Sequence, residues 1–223
     1  MDKRKIFGVL LTTILSVIAL FFVVKLVFRT DKINEGKFRV ADVILTSTAE
    51  LTDKTEQNGT WSLNISQKNL LSMLIAAGSD ASIERIYLSD LKVTGNSSVV
   101  FYLSNSENRI ELSKKKQELD VEYILDDGKQ IKLEFIALNE NVVKNWIVPE
   151  SLKEIICDGR IFETAGLALA DLEYTLSFKL NIVETNGKTN TLKVKLDVPK
   201  EELVTSGADV SRLSLTDFKF KVK

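Results

Sequence analysis

Residues 60–77 read TWSLNISQKNLLSMLIAA, and the way this run is parsed decides the fold. Its first six residues alternate, with Trp61, Leu63 and Ile65 on one face, as in a half-buried strand. From Ser66 the apolar spacing changes. Leu70, Leu71, Leu74, Ile75 and Ala77 recur at intervals that place them on one side of a helix, and Met73 widens that side. Ser66 is a suitable N-cap, because its hydroxyl accepts from N–H groups left open in a first turn. Ile65 and Leu70 are placed to form a hydrophobic staple, and Gly78 supplies a left-handed stop. The spacing therefore predicts a helix over 66–77. Its apolar face either packs on a sheet or lines an apolar groove.

Downstream the period shortens to two. Leu91 and Val93 alternate, Gly95-Asn96 turns the chain, and Val99, Phe101 and Leu103 alternate again, with Ile110 and Leu112 beyond a polar loop. Upstream, Val40, Val43 and Leu45 are candidates for a first strand.

Two hairpins can be read to the register, since directly opposed residues of an antiparallel pair share a face. Leu119, Val121, Tyr123 and Leu125 match Ile131, Leu133 and Phe135 only with a three-residue Asp126-Asp127-Gly128 loop, which opposes Tyr123 to Ile131. In the second, Tyr174, Leu176, Phe178, Leu180 and Ile182 face Leu192, Val194, Leu196 and Val198. A Thr185-Asn186-Gly187 loop pairs Leu180 with Leu192 and Phe178 with Val194. Both loops put glycine at the left-handed third position of a bulged turn. Between the hairpins, Pro149 at a first helical position, the apolar Leu152, Ile155 and Ile156, and Asp158-Gly159 predict a second short helix. At the C-terminus, Leu213 and Leu215 differ in parity from Phe218, Phe220 and Val222, and a bulge at Thr216-Asp217 would reconcile them.

Ile6 to Val24 is uncharged and apolar, between Lys3-Arg4-Lys5 and Lys25. About 19 residues suffice to span a hydrocarbon core as a helix. The run exceeds the apolar core of a signal peptide, and no small-x-small cleavage pattern follows it. An uncleaved anchor is expected ahead of the alternatives, a cleaved signal or a buried soluble helix, its short basic tail cytoplasmic and the remainder outside. The expected division is anchor and tail over 1–28, a juxtamembrane segment with a possible first strand over 29–58, and an extracytoplasmic domain over 59–223. The expected fold class is α+β: an N-terminal transmembrane helix, then a mainly antiparallel, curved β-sheet with two short helices.

Composition excludes more than it selects. The chain has no histidine, so it holds neither a Ser-His-Asp or Cys-His nucleophile system nor a His-based metal site. One cysteine, Cys157, rules out an intramolecular disulfide and a cysteine-cluster zinc site. It reads as a small buried apolar residue, because no neighbour would lower its pKa. The net charge of −1 offers no field for nucleic acid. Asp126-Asp127, Glu140, Glu150 and Glu201-Glu202 read as solvated acids, with nothing to set two of them across a cleft. Three Asn-x-Ser/Thr triplets, at Asn58, Asn64 and Asn96, read as chance in an Asn-rich chain without disulfides. Neither cofactor nor metal is expected, and the chain does not read as an enzyme.

On the outward face of the second hairpin the register sets Lys179 opposite Lys193, with Lys195, Lys219 and Lys221 also directed away from the core. A neighbouring acidic strand would neutralise them. Otherwise they form a surface for anionic lipid or an anionic envelope polymer.

The anchor, the Ile65-Ser66-Gln67-Lys68-Asn69-Leu70-Leu71 run and the strands that follow resemble the bacterial YpmS-type envelope proteins. More distantly they resemble small tubular lipid-binding (TULIP-like) domains. The resemblance covers about Ile65 to Phe135. It implies an extracytoplasmic helix on a strongly curved sheet, and handling of lipid or lipid-linked envelope material at the membrane. Leu70, Leu71, Leu74, Ile75, Phe101, Leu133 and Phe135 are then the expected groove lining. The alternative is a structural or interaction subunit of an envelope complex with a filled core and a protein partner.

Overall fold

The computed structural model describes residues 37–58, 60–95, 99–104, 109–110, 116–119, 130–148, 160–199 and 202–222. The Ile6–Val24 run, the Asp126–Gly128 turn and the expected Pro149 helix lie outside the described residues. No helix among the described residues is long and apolar enough to cross a membrane.

The described fold begins with β1 (Phe38–Gln57) and β2 (Thr60–Ala77), with Asn58 between them at φ 51. Gln57 pairs with Thr60, and asparagine tolerates the left-handed conformation that Asn58 adopts between them. At about 3.3 Å per residue, strands of this length run to roughly 60 Å. β2 is strand throughout, hydrogen-bonded to β1 on one side and to β7 (Gln130–Val148) on the other. The helix expected over 66–77 is therefore corrected to the second half of a central strand. With it the helix-on-sheet, α+β class gives way to a fold built mainly of antiparallel strands. Leu71, Met73, Ile75 and Ala77 are buried on the inner face, while Leu70 and Leu74 sit half-buried on the outer one. Helical spacing and this two-sided burial are compatible with the same letters. Pairing along both edges decides between them.

The described strands form two sheets, each neighbouring pair antiparallel. The first has the order β10-β1-β2-β7-β4-β5, with β4 at Val99–Leu103, β5 at Arg109–Ile110 and β10 at Ala208–Arg212. The second runs β11-β9-β8-β3-β6. Its strands are β3 (Ile83–Thr94), β6 (Lys116–Leu119), β8 (Tyr174–Glu184), β9 (Thr189–Val198) and β11 (Phe220–Val222). Leu119 lies opposite Ile86 of β3 in this second sheet. The β8–β9 register is the expected one, Leu180 opposite Leu192 and Phe178 opposite Val194, with Gly187 at φ 85. The expected bulge at Thr216-Asp217 is instead a 3-10 turn at Leu215–Asp217, which leaves Leu215 exposed and sends Phe218 inward.

The sheets face each other across one apolar core. Phe101 and Phe135 of the first sheet stack at 5.4 Å, and Phe178 of the second meets them at 5.9 and 5.5 Å. Beyond Ala49 and Asn139, β1, β2 and β7 continue past the second sheet. There, among the described residues, the inner face is covered by three one-turn helices, α1 (Ile161–Thr164), α2 (Leu169–Leu172) and α3 (Glu202–Ser206). Leu63, Ile65, Val148, Phe162, Leu172 and Leu203 form a second core at this end. β7 reaches it through two bulges whose left-handed residues are Asn141 and Asn145, at φ 52 and 50. The neighbouring strand supports both: Ser66 Oγ accepts from the Asn141 N–H at 2.9 Å, and Asn64 Oδ1 from that of Asn145 at 2.7 Å.

Candidate binding surfaces

The residues expected to line a groove are divided by the strand period. Leu71, Ile75, Phe101, Leu133 and Phe135 all point inward, each at most 2% exposed, and fill the sandwich core. Leu70 and Leu74 lie on the opposite face of the same strand. There Leu70 is flanked by Thr46 and Ile136, with Val210 and Tyr102 continuing the row outward. The structure thus brings five of the seven together as packing and separates two from them.

Between the two cores runs a belt of buried polar side chains that the sequence reading did not single out. Ser47 Oγ donates to Asn69 Oδ1 at 2.6 Å, and Asn69 Nδ2 donates to the Tyr174 hydroxyl at 2.7 Å. Asn139 Nδ2 donates to Gln67 Oε1 at 3.2 Å, while Gln67 Nε2 has no partner among the described residues. Burial drives the Tyr174 phenol well above its ordinary pKa, against the lowering effect of the Asn69 hydrogen bond. It stays neutral across the physiological range. Amides and a neutral phenol hold the strands in register but supply neither a nucleophile nor a general base.

Near the start of β1, Lys37 joins the two sheets. Its Nζ lies 2.9 Å from Glu184 Oε2 and 3.4 Å from Asp80 Oδ2, while Asn190 Nδ2 donates to Glu184 Oε1 at 2.9 Å. Burial pushes the Glu184 carboxyl upward. The hydrogen bonds from Lys37 and Asn190, with the charges of Lys37 and Lys188, outweigh it and hold the group ionised below its ordinary pKa. On the outer face of the first sheet, Arg212 grips the buried Asp42 through two bonds of 2.7 and 2.8 Å, pinning β10 to β1.

The outer face of the second sheet carries the lysines expected there. Lys179 lies opposite Lys193 and is paired with Asp90, which occupies a left-handed bulge position in β3 at φ 54. Neutralisation stops at that pair. Lys193, Lys195, Lys219 and Lys221 are exposed, and none forms an ion pair among the described residues. Lys92, also exposed, joins their face through the row Lys92–Ser177–Lys195, which the sequence reading had not included. The signal for it was the Leu91–Val93 alternation, which turns Lys92 outward, while the bulge at Asp90 sets it opposite Ser177.

Neither protein-family models, nor curated proteins, nor solved structures give a match to this chain.

Proposed function

We propose that this chain is a membrane-tethered, non-enzymatic module of the cell envelope that acts through its outer surfaces. The observation that carries this is the fate of the expected groove. Its inward members, Leu71, Ile75, Phe101, Leu133 and Phe135, bury against one another and against Phe178, so the interior is occupied by side chains. Binding a lipid there would displace aromatic contacts within a close-packed core. The tether is the apolar Ile6–Val24 run with its basic tail, which favours N-terminus inside and the double sheet outside. An interaction or structural role needs no more than a rigid body held at the membrane.

Native mass spectrometry of the full chain purified from cells, joined to reporter fusions at Lys223, tests this reading. Expected are a reporter active only outside the cytoplasm and no lipid retained at one copy per chain. A stoichiometric lipid that Leu71→Trp expels would overturn the filled-core reading. A reporter active only in the cytoplasm would overturn the topology.

A further inference from the structure

We infer that the lysine face of the second sheet docks on the anionic leaflet to which the chain is tethered. The inference rests on the tether proposed above and adds an orientation to it. Lys193 and Lys195 alternate along β9, and Lys221 lies opposite Thr191 on the same face. Lys219 precedes it by two residues, and Lys92 extends the array through Ser177. Among the described residues Asp90, Glu118 and Asp197 of this face are each engaged by a side chain other than Lys193, Lys195, Lys219 or Lys221. Asp90 holds Lys179, Glu118 lies 3.6 Å from Arg85, and Asp197 accepts from Thr175 at 2.7 Å. Opposing lysines across a strand pair are mildly destabilising. Lys193, set against Lys179 and left without its own acid, is explained if the face meets negative charge outside the protein.

The occupant follows from where the chain enters the fold. Phe38 begins β1 with its ring 6.1 Å from that of Phe220 in β11, the strand that carries Lys221. The described fold therefore starts beside the lysine-bearing strands. The thirteen or so residues between Val24 and Phe38 can span at most about 45 Å, enough to let the face reach the bilayer beside its own anchor. The surface is polar, with the half-buried Ser177 and Thr175 among the lysines, which suits attraction to headgroups rather than insertion among acyl chains. Each lysine brought to an anionic surface contributes roughly a fivefold preference.

The test uses the full chain with vesicles of phosphatidylcholine alone and of phosphatidylcholine mixed with phosphatidylglycerol. Flotation with the neutral vesicles reports the tether. Modification by an impermeant amine reagent, read residue by residue, reports the docking. Lys193, Lys195, Lys219 and Lys221 should react at least about fivefold more slowly on the anionic vesicles. Lys144 of the first sheet should not change. Protection should vanish at 1 M salt, where the Debye length is about 3 Å. In the K193Q/K195Q/K219Q/K221Q variant, checked for an unchanged melting temperature, Lys92 should lose its protection. Flotation on both vesicles with equal labelling would overturn the docking and leave the tether standing. No flotation on neutral vesicles would sink the tether reading and this inference with it. Equal protection by soluble polyphosphate without vesicles would reject the leaflet in favour of a free polyanion.

Discussion

The same three strands are buried in two different ways along their length. At the sandwich end, β1, β2 and β7 lie under a second sheet, and their inward residues meet Phe178 and its neighbours in a continuous apolar layer. At the far end they lie under three single-turn helices, and β7 needs two left-handed asparagines to follow the curve. A sheet covers a sheet over a large area, and there β2 and β7 keep one register from Gln67↔Asn139 to Ala76↔Gln130. One-turn helices cover little, and the strands must bend toward them through bulges. The polar belt of Ser47, Asn69, Gln67 and Asn139 marks the change from one regime to the other. Cooperativity should therefore differ between the ends, with the helix-covered end the first to open.

The largest expected effect is at the sandwich end. Phe135→Ala removes a fully buried ring that touches both Phe101 and Phe178 and should cost about 3–5 kcal/mol in urea unfolding. Its counterpart is Leu203→Ala, which hollows the helix-covered core at a cost of about 2–4 kcal/mol. The comparison is sharpened by hydrogen exchange on the second variant. Amides of β7 from Asn139 to Val148 should lose protection while those of Ile131 to Phe135 keep theirs. Uniform loss would show that the two cores open as one.

Asn69→Ala strikes the boundary. Ser47 loses its acceptor and the buried Tyr174 hydroxyl its donor, so about 1–3 kcal/mol should be lost with little change in m-value. A loss below about 0.5 kcal/mol would show that the belt tolerates unpaired groups and does not hold the two regimes together.

That belt also explains what could be read in the sequence. β8 and β9 were legible to the residue because their apolar positions alternate without interruption and Gly187 marks the turn. β2 was not, because its inward face turns polar at Gln67 and Asn69, in mid-strand. Alternation stops there, Ser66 takes on the appearance of a cap, and the Leu70–Ile75 spacing completes a false helix. Leu70 and Leu74, half-buried on the outer face, supplied the second apolar stripe that a one-sided strand would have lacked. Asn58 carries an Asn-x-Thr triplet in the sequence and takes the left-handed position between β1 and β2 in the fold. The single-turn helices are too short to leave a period. Among the candidate binding residues, the lysines followed from the parity of β8, β9 and the C-terminal run, whereas the groove depended on the helix and dissolved with it. Gly187→Ala should cost about 1 kcal/mol: a Cβ there meets nothing within 4 Å, so the loss is that of the left-handed backbone alone. No change in melting temperature would mean that the turn relaxes to another type.

The smallest effect is expected where the two regimes meet, at Gln67 and Asn139. Gln67 is fully buried, gives its oxygen to Asn139, and leaves Nε2 without a partner among the described residues. A buried donor left unpaired forfeits hydration without recovering a hydrogen bond, and the single bond to Asn139 is long at 3.2 Å. Replacing only one partner strands the other. Replacing both with leucine, in Q67L/N139L, exchanges a poorly satisfied pair for apolar contact of similar volume. Its net change should lie within about 1 kcal/mol of zero, since such paired removals are often near neutral. The gain would appear in the exchange pattern instead. With the belt bridged by leucines the two cores become continuous, and protection at the helix-covered end should rise toward that of the sandwich. A loss well beyond about 2 kcal/mol would show that Nε2 is satisfied after all, by bound water, and that the belt is a closed network.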